Sequence, residues 1–153
     1  MKDGLKIFAI EKGVVIDHIP ARQAIRVIDV LGVNRDGSVL TVGINLESGK
    51  LGRKDVIKIE NKDLSREELN KVALIAPEAT VNIIRGGMVS EKVKIAIPAM
   101  LEDMVECPNQ NCVTHFEPAK TRFITISANP LRIRCHFCER MVEQGDIRLL
   151  AGK

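Results

Sequence analysis

Four cysteines, all in the last third of the chain, are the residues whose type and spacing indicate chemistry most clearly. Cys107 and Cys112 are separated by four residues, Cys135 and Cys138 by two, and the two pairs by 22. Each pair can present two thiolates from one tight turn, and two facing turns make a tetrahedral four-sulfur site. Such a site is closed to substrate water. The spacing therefore predicts one structural Zn²⁺ ion per chain.

Three other interpretations of the cysteines compete with zinc. A disulfide framework fits poorly in a chain expected in the cytosol. A redox dithiol at Cys135 and Cys138 would leave the other pair without a role, whereas iron could occupy the same sulfur cage. His115 and His136 lie near the ligands in sequence. Because four cysteines already fill the coordination shell, we expect both histidines at the surface or beside the ligands.

Polar residues in the first two-thirds of the chain are the second group of candidates. The segment Asp17-His18-Ile19-Pro20 is predicted to be a loop between a strand and a helix, where function is common, although its polar side chains could simply orient the turn. Lys58 interrupts an apolar strand and is either an exposed-face residue or a phosphate contact. Asn82 and Lys92 have the same ambiguity. No nucleophile–base pair and no phosphate-binding glycine loop occurs, so an enzyme is not indicated.

Composition and charge limit the possible partners. The 153-residue chain carries a net charge of +3, all of it in residues 1–100, which hold 16 Lys and Arg against 13 Asp and Glu. Charges in residues 101–153 cancel, and four thiolates with one dication would take this part to about −2. A negative charge disfavours phosphate binding by residues 101–153 and favours a role in docking onto another protein. The chain has no Trp or Tyr, so the aromatic side chains on which the bases of single-stranded nucleic acid stack are also scarce.

The hydropathy pattern shows no targeting segment. No apolar stretch approaches the ~20 residues of a membrane-spanning helix or the ~7 to 15 of a secretory signal core. We therefore expect a cytoplasmic protein without a membrane partner.

The elements that must position these residues fall into two predicted domains, 1–97 and 98–153. Ser65 and Glu68 form a capping box that opens a helix ending before Pro77, and an earlier helix is expected to begin at Pro20 and end at Gly32. The buried stripe of that earlier helix should be Ala21, Ala24, Ile25, Ile28 and Leu31. The strands are expected at 5–10, 14–16, 39–46, 56–59, 80–84 and 92–97. The order indicates an α+β protein: a ferredoxin-like βαββαβ domain with an extra hairpin strand, then a small antiparallel-β zinc domain.

Five segments together resemble one known family over essentially the whole chain. They are VIDHIP at 15–20, GRKDVIKIEN at 52–61, APEATVN at 76–82, CPNQNC at 107–112 and CHFC at 135–138. This set, in this order, closely resembles the regulatory chain of aspartate carbamoyltransferase. The resemblance implies a non-catalytic subunit with an N-terminal nucleotide-binding allosteric domain and a C-terminal zinc domain that docks onto the catalytic chain.

The resemblance also implies effectors, an assembly and site residues. In that family CTP typically inhibits, ATP typically activates and UTP is a further effector that reinforces CTP, in a hetero-oligomer of catalytic trimers and regulatory dimers. Asn109 and Asn111 match contacts to the catalytic chain, and the four cysteines match the zinc ligands. The positions that match nucleotide contacts are Ala9, Ile10, Val15, Asp17, His18, Lys58, Asn82, Ile84, Val89 and Lys92.

Two positions depart from the family pattern. Val14 stands where many members have Thr, which leaves the binding motif intact. Gly87 stands where some members carry an aromatic residue beside the ribose, so we expect weaker discrimination between CTP and ATP. The alternative hypothesis is a zinc-ribbon protein that binds nucleic acid through its first domain.

Overall fold

The computed structural model describes residues 10–150. The chain divides into two compact units between Ala96 and Ile97, and each is described by itself. Among the described residues no helix is both long and apolar enough to cross a membrane.

In its described residues, the first unit is one antiparallel sheet combined with two helices. Its elements are β1 (Gly13–Pro20), α1 (Ala24–Leu31), β2 (Leu40–Ser48), β3 (Gly52–Glu60), α2 (Arg66–Ile75), β4 (Thr80–Arg85) and β5 (Met88–Lys94). The strand order is β2-β3-β1-β4-β5. Since β3 pairs antiparallel with both β1 and β2, those two strands are parallel to each other with β3 between them, as in a split βαβ unit. The predicted ferredoxin-like order is confirmed, with β5 as the extra hairpin strand.

One face of this sheet carries the core of the unit. Val14 pairs with Ile59, and Ile16 pairs with Ile57; all four side chains are almost completely buried. Directly opposite residues share a face, so these four form an apolar layer. Helix residues such as Val27 and Val72 are equally buried, and α1 contacts both α2 and β3.

The predicted helix ends are confirmed where a specific residue defines them. The Ser65 hydroxyl accepts the Glu68 N–H at 3.1 Å, and the Glu68 carboxylate accepts the Ser65 N–H at 2.9 Å. Gly32 closes α1 in the left-handed conformation, with φ 70°. In this conformation its N–H donates to the carbonyls of Ile28 and Asp29 in the last turn. Glycine is favoured here because a side chain would disfavour the left-handed conformation.

The predicted loop at 17–20 is wrong. β1 continues through Pro20, and α1 begins only at Ala24. The strand bulges after Ile16 and pairs again with β3 at Ile19, so the sheet continues past the polar residues. Pro20 is tolerated as the last residue of the strand, where its missing N–H interrupts little of the ladder.

Other predicted elements also differ from the observed ones, because a local sequence pattern does not determine where a strand begins or ends. The predicted buried stripe of α1 is wrong at one position: Ile25 is 57% exposed, and Val27 is buried instead. β5 starts at Met88, directly after the glycine pair, and ends at Lys94, so the prediction of 92–97 is wrong. Residues 5–9 of the first predicted strand lie outside the described residues, and Ile10 is not in a strand.

The second unit is antiparallel throughout, as predicted. It contains β6 (Met100–Glu102), β7 (Val105–Glu106), β8 (Arg122–Ala128), β9 (Leu131–Cys135), β10 (Met141–Glu143) and β11 (Arg148–Leu149). Four strands form one sheet in the order β10-β9-β8-β6, and β11 pairs with β7. Fully buried Leu101, Phe123, Leu131 and Ile133 form a small core.

Candidate metal centre and sheet-face site

The four cysteine sulfurs converge in the second unit. All four lie within 4.8 Å of one another; Cys107 and Cys138 are 3.6 Å apart, and Cys112 and Cys135 are 3.8 Å apart. A tetrahedron of sulfurs about 2.3 Å from a central ion has edges of about 3.8 Å. The cluster therefore has the dimensions of a four-thiolate metal site.

Two backbone turns hold the sulfurs in place. In the first, the Cys112 N–H donates to the Asn109 carbonyl at 3.0 Å, and the Thr114 hydroxyl lies 3.3 Å from the Cys112 sulfur. In the second, the Glu139 N–H donates to the Cys135 carbonyl at 2.9 Å, with Glu139 at φ 65°. Each turn brings its two cysteines to the same point, as the spacing predicts.

The electrostatics of the cluster favour a cation. Burial raises the pKa of the Cys107 and Cys135 thiols. Burial also opposes ionisation of Cys138, but hydrogen bonds from the Asn109 side chain, the Arg140 N–H and neighbouring thiols lower its pKa to about 7. Four buried thiolates would repel one another strongly, whereas a bound dication deprotonates coordinating thiols outright. The arrangement suits a structural metal ion.

The residues beside the cysteines support the turns. His115 Nε2 lies 2.8 Å from the Cys107 carbonyl oxygen, and His136 packs edge-on against Phe137; neither belongs to the sulfur cluster. The Asn109 side-chain oxygen accepts the Asn111 N–H at 3.0 Å, which holds the first turn. Asn111 itself is exposed.

Four of the predicted nucleotide-site residues lie side by side on the sheet of the first unit. Val15 pairs with Lys58 on β3 and with Asn82 on β4, and Asn82 pairs with Lys92 on β5. Thr41 on β2 completes this cross-strand row, opposite Lys58. Successive strand residues point to opposite faces, so the row lies on the face away from the core. Residues far apart in sequence thus form one surface.

A bulge in β1 places Asp17 and His18 next to the cross-strand row. Asp17 pairs with Thr80 across β4, and its carboxylate lies 3.0 Å from the Lys54 amine while accepting the His18 N–H at 2.6 Å. His18, at φ 61°, has Nδ1 at 3.2 Å from the Thr80 hydroxyl. Asp17 therefore orders His18 and neutralises a lysine, as a positioning group would.

Two members of the row have unusual environments. Partial burial lowers the pKa of the Lys58 amine, although nearby Asp17 opposes the fall. The side-chain oxygen of Asn82 is buried and has no hydrogen-bond partner among residues 10–150. Buried polar atoms are nearly always paired in proteins, so such an oxygen points to water or a ligand donor.

The apolar candidates lie beyond one end of the row. Ile84 pairs with Gly13 on β1 and with Val89 on β5. Ile84 and Ile10 are buried, whereas Val89 is 52% exposed. Ala9 lies outside the described residues. This face therefore changes from apolar near Ile84 to cationic near Lys92.

Sequence reasoning missed three residues on the cationic part of this face. Lys54 contacts Asp17, Thr80 contacts His18, and Lys94 pairs with Thr80 across β5. A period-two pattern was the available signal: Lys54 lies four residues before Lys58, and Lys94 lies two after Lys92. Within a strand, such residues share a face.

The fold and the cysteine cluster define a class of protein: an α+β domain with an open antiparallel sheet, joined to a small antiparallel-β domain with a four-cysteine metal site. Comparison with known proteins agrees. Residues 5–96 match the family model described as aspartate carbamoyltransferase regulatory chain, allosteric domain, and residues 99–148 match its metal binding domain.

Relatives match along nearly their full length. Proteins described as aspartate carbamoyltransferase regulatory chains are 50% identical in Pyrococcus horikoshii (94% of this chain, 95% of that one) and 47% identical in Methanopyrus kandleri (95% of each). The chain belongs to the aspartate carbamoyltransferase regulatory chain family. It is a non-catalytic subunit with an allosteric domain and a domain that holds a structural metal ion. Membership of this family implies a catalytic partner chain. The alternative of a nucleic-acid-binding zinc ribbon is not favoured.

Proposed function

We propose that residues 1–97 bind the nucleoside triphosphates CTP and ATP at one site on the open sheet face, with UTP as a further effector. The observation that carries this proposal is the cross-strand row, which aligns Lys58, Val15, Asn82 and Lys92. The remaining contacts proposed are Asp17 and His18 in the bulge and the apolar wall of Ala9, Ile10, Ile84 and Val89.

The polarity of this face supports a nucleotide. A base needs apolar surface, which Ile84 and Val89 supply, and a triphosphate needs cations, which Lys58 and Lys92 supply as point charges. Between them, the buried Asn82 oxygen, which no described residue pairs, can accept a hydrogen bond from a hydroxyl or an amine. Asp17 is already paired with Lys54 and orders the bulge instead of meeting phosphate.

We propose that the metal is Zn²⁺, one ion per chain, held by Cys107, Cys112, Cys135 and Cys138. Zinc prefers closed tetrahedral thiolate sites, and the sulfur separations fit that geometry. An iron ion in the same cage is the alternative, and metal analysis of the purified protein distinguishes the two.

We propose that residues 98–153 dock onto the catalytic chain, with Asn109 and Asn111 at the contact, in a cytoplasmic assembly of catalytic trimers and regulatory dimers. Asn111 is exposed on the metal-holding turn. A groove of about 480 Å³ lies beside this turn and is lined in part by Pro108, Gln110, Arg140 and Arg148. Both features put polar and cationic groups where a partner can reach them.

Calorimetric titration of the metal-loaded chain with CTP, ATP and cytidine tests the effector site. Lys58→Ala should weaken CTP binding more than cytidine binding, because it removes a phosphate contact. Lys50→Ala is the matched control: it removes a lysine of the same unit, in the turn between β2 and β3 and outside the row. Equal losses for both ligands with Lys58→Ala, or no saturable CTP binding to the native chain, would contradict the proposal.

A further inference from the structure

Asp55 is a buried carboxylate that joins three separate segments of the first unit. It is 0% exposed. One oxygen accepts the backbone N–H groups of Arg22 and Ala24, both at 3.0 Å. The other accepts the N–H of Asn45 at 2.9 Å. Because a buried charge is tolerated only when it is well hydrogen-bonded, these three donors are held firmly to one side chain.

Asp55 lies at a level of the sheet where both neighbours of β3 are irregular. Strands β1 and β2 each have a bulge opposite residues 55–56. In β1, Asp17 and His18 together oppose Val56 alone, between the pairs Ile16–Ile57 and Ile19–Asp55. In β2, two residues including Asn45 oppose Asp55 alone, between the pairs Gly43–Val56 and Leu46–Lys54. Both strands therefore bend at the same level of the sheet.

The backbone near Asp55 is held in conformations that most residues avoid. His18 has φ 61°, Arg22 79° and Asn45 62°. Left-handed conformations of residues other than glycine persist only where surrounding contacts impose them. Asp55 supplies such a contact to two of the three directly, through the N–H groups of Arg22 and Asn45.

Lys54 completes the connection from the opposite face of β3. Its amine lies 3.0 Å from the Asp17 carboxylate, whereas the adjacent Asp55 points the other way, as successive strand residues do. The β1 bulge is therefore held from one face by Lys54, and the chain that leaves it is held from the other face by Asp55.

From this geometry we propose that Asp55 is a positioning residue of the effector site, which couples the Asp17–His18 bulge to the β2 bulge at Asn45. This inference rests on the proposed nucleotide site. A triphosphate that binds better to one arrangement of the β1 bulge shifts the population towards it. The Asp55 carboxylate holds Arg22 and Ala24, in the chain that leaves the β1 bulge, and also Asn45 in the β2 bulge. We therefore expect edge strand β2 to change when the β1 bulge does.

Hydrogen–deuterium exchange of the full metal-loaded chain, with and without saturating CTP, tests the coupling. In the native chain, CTP should slow exchange of the amides at 44–48, although that segment lies outside the proposed site. Asp55→Asn is the informative change. Its single side-chain oxygen can still serve Arg22 and Ala24, while its NH₂ group faces the Asn45 N–H and breaks the link to β2.

With Asp55→Asn, CTP should still bind and still protect the segment 15–20, while its protection of 44–48 is lost. Asp36→Asn is the matched control, because Asp36 also accepts a backbone N–H, from Ser38 at 2.9 Å, but lies outside the site. It should respond as the native chain does. If Asp55→Asn retains CTP protection at 44–48, Asp55 has a purely structural role and the inference is wrong.

Other outcomes separate this inference from the proposed function. Saturable CTP binding to the native chain without any change at 44–48 overturns the inference alone. Absence of CTP binding overturns the proposed function and the inference with it. If Asp55→Asn does not fold, Lys54→Met tests the other half of the link: it should lose part of the CTP protection at 44–48, and Lys54→Arg should restore it. Unchanged protection with Lys54→Met contradicts the inference.

Discussion

At the scale of single residues, Asn82 shows the conflict between stability and binding most directly. Its side-chain oxygen is buried and finds no hydrogen-bond partner in the described part of the chain, while the residues opposite it on the neighbouring strands are Val15 and Lys92. A buried group left unpaired costs about 1–3 kcal/mol. A residue that costs stability in the free protein but lies in the middle of a proposed binding face has the properties expected of a ligand contact.

We therefore expect Asn82→Leu to have opposite effects on stability and binding. Removing the unpaired amide should raise the free energy of unfolding of the first unit by about 1 kcal/mol, while loss of its hydrogen bond should weaken CTP binding about tenfold. Denaturant unfolding and calorimetry measure the two effects. Val93→Leu, a change on the neighbouring β5 in a residue of the core-facing register, controls for a change of apolar volume. Parallel losses of stability and affinity in Asn82→Leu would contradict this role.

At the scale of elements, the features predicted correctly are those that a few neighbouring residues determine. Ser65 and Glu68 close their own hydrogen bonds, Gly32 ends α1, and the cysteine spacings define two turns. The segment 17–20 was misread because the feature that keeps it in the sheet, its renewed pairing with Lys54 and Asp55, is distant in sequence. The cross-strand row depends on the pairing of strands that are far apart in sequence, and the pattern within one segment does not identify its partner strand.

The capping box gives a prediction for α2. Ser65→Ala removes the acceptor for the Glu68 N–H and should lower the free energy of unfolding of the first unit by about 1 kcal/mol. Ser65→Asp keeps an acceptor at the same position and should retain most of the stability. Thermal unfolding of the metal-loaded chain measures both. The row lies on β2, β3, β1, β4 and β5, so CTP affinity should be unchanged; a large loss of affinity would show that α2 contributes to the site.

At the scale of the whole molecule, the two compact units are stabilised by different means. In the described part of the unit that ends at Ala96, the sheet and two helices bury many large side chains, whereas the unit from Ile97 has a small core and a four-sulfur cluster. Metal binding and folding are a single event in small metal-stabilised domains. Loss of the ion should therefore affect the second unit selectively.

Removing the metal should unfold one unit and spare the other. After treatment with a strong chelator, or in Cys138→Ala, we expect amide protection to collapse in residues 97–150 and to persist in β1 to β5, with CTP binding retained and assembly with the catalytic chain lost. Acid should act like the chelator, because protons compete with the metal for the thiolates. Lys58→Ala should show the converse result, with normal assembly and a response that requires a higher concentration of CTP. A Cys138→Ala chain that still assembles and transmits the CTP signal would contradict this division.

The cross-strand row has a consequence for how the sheet is made. It contains one residue from each of five strands without an offset, and a slip of one residue in any strand would replace its member with a side chain from the core face. A nucleotide that needs the complete row can therefore bind only the correctly paired sheet. By mass action it would stabilise that pairing over every misaligned one. Cellular triphosphates would then favour the correct strand pairing while a newly made chain folds, before that chain has bound a catalytic chain.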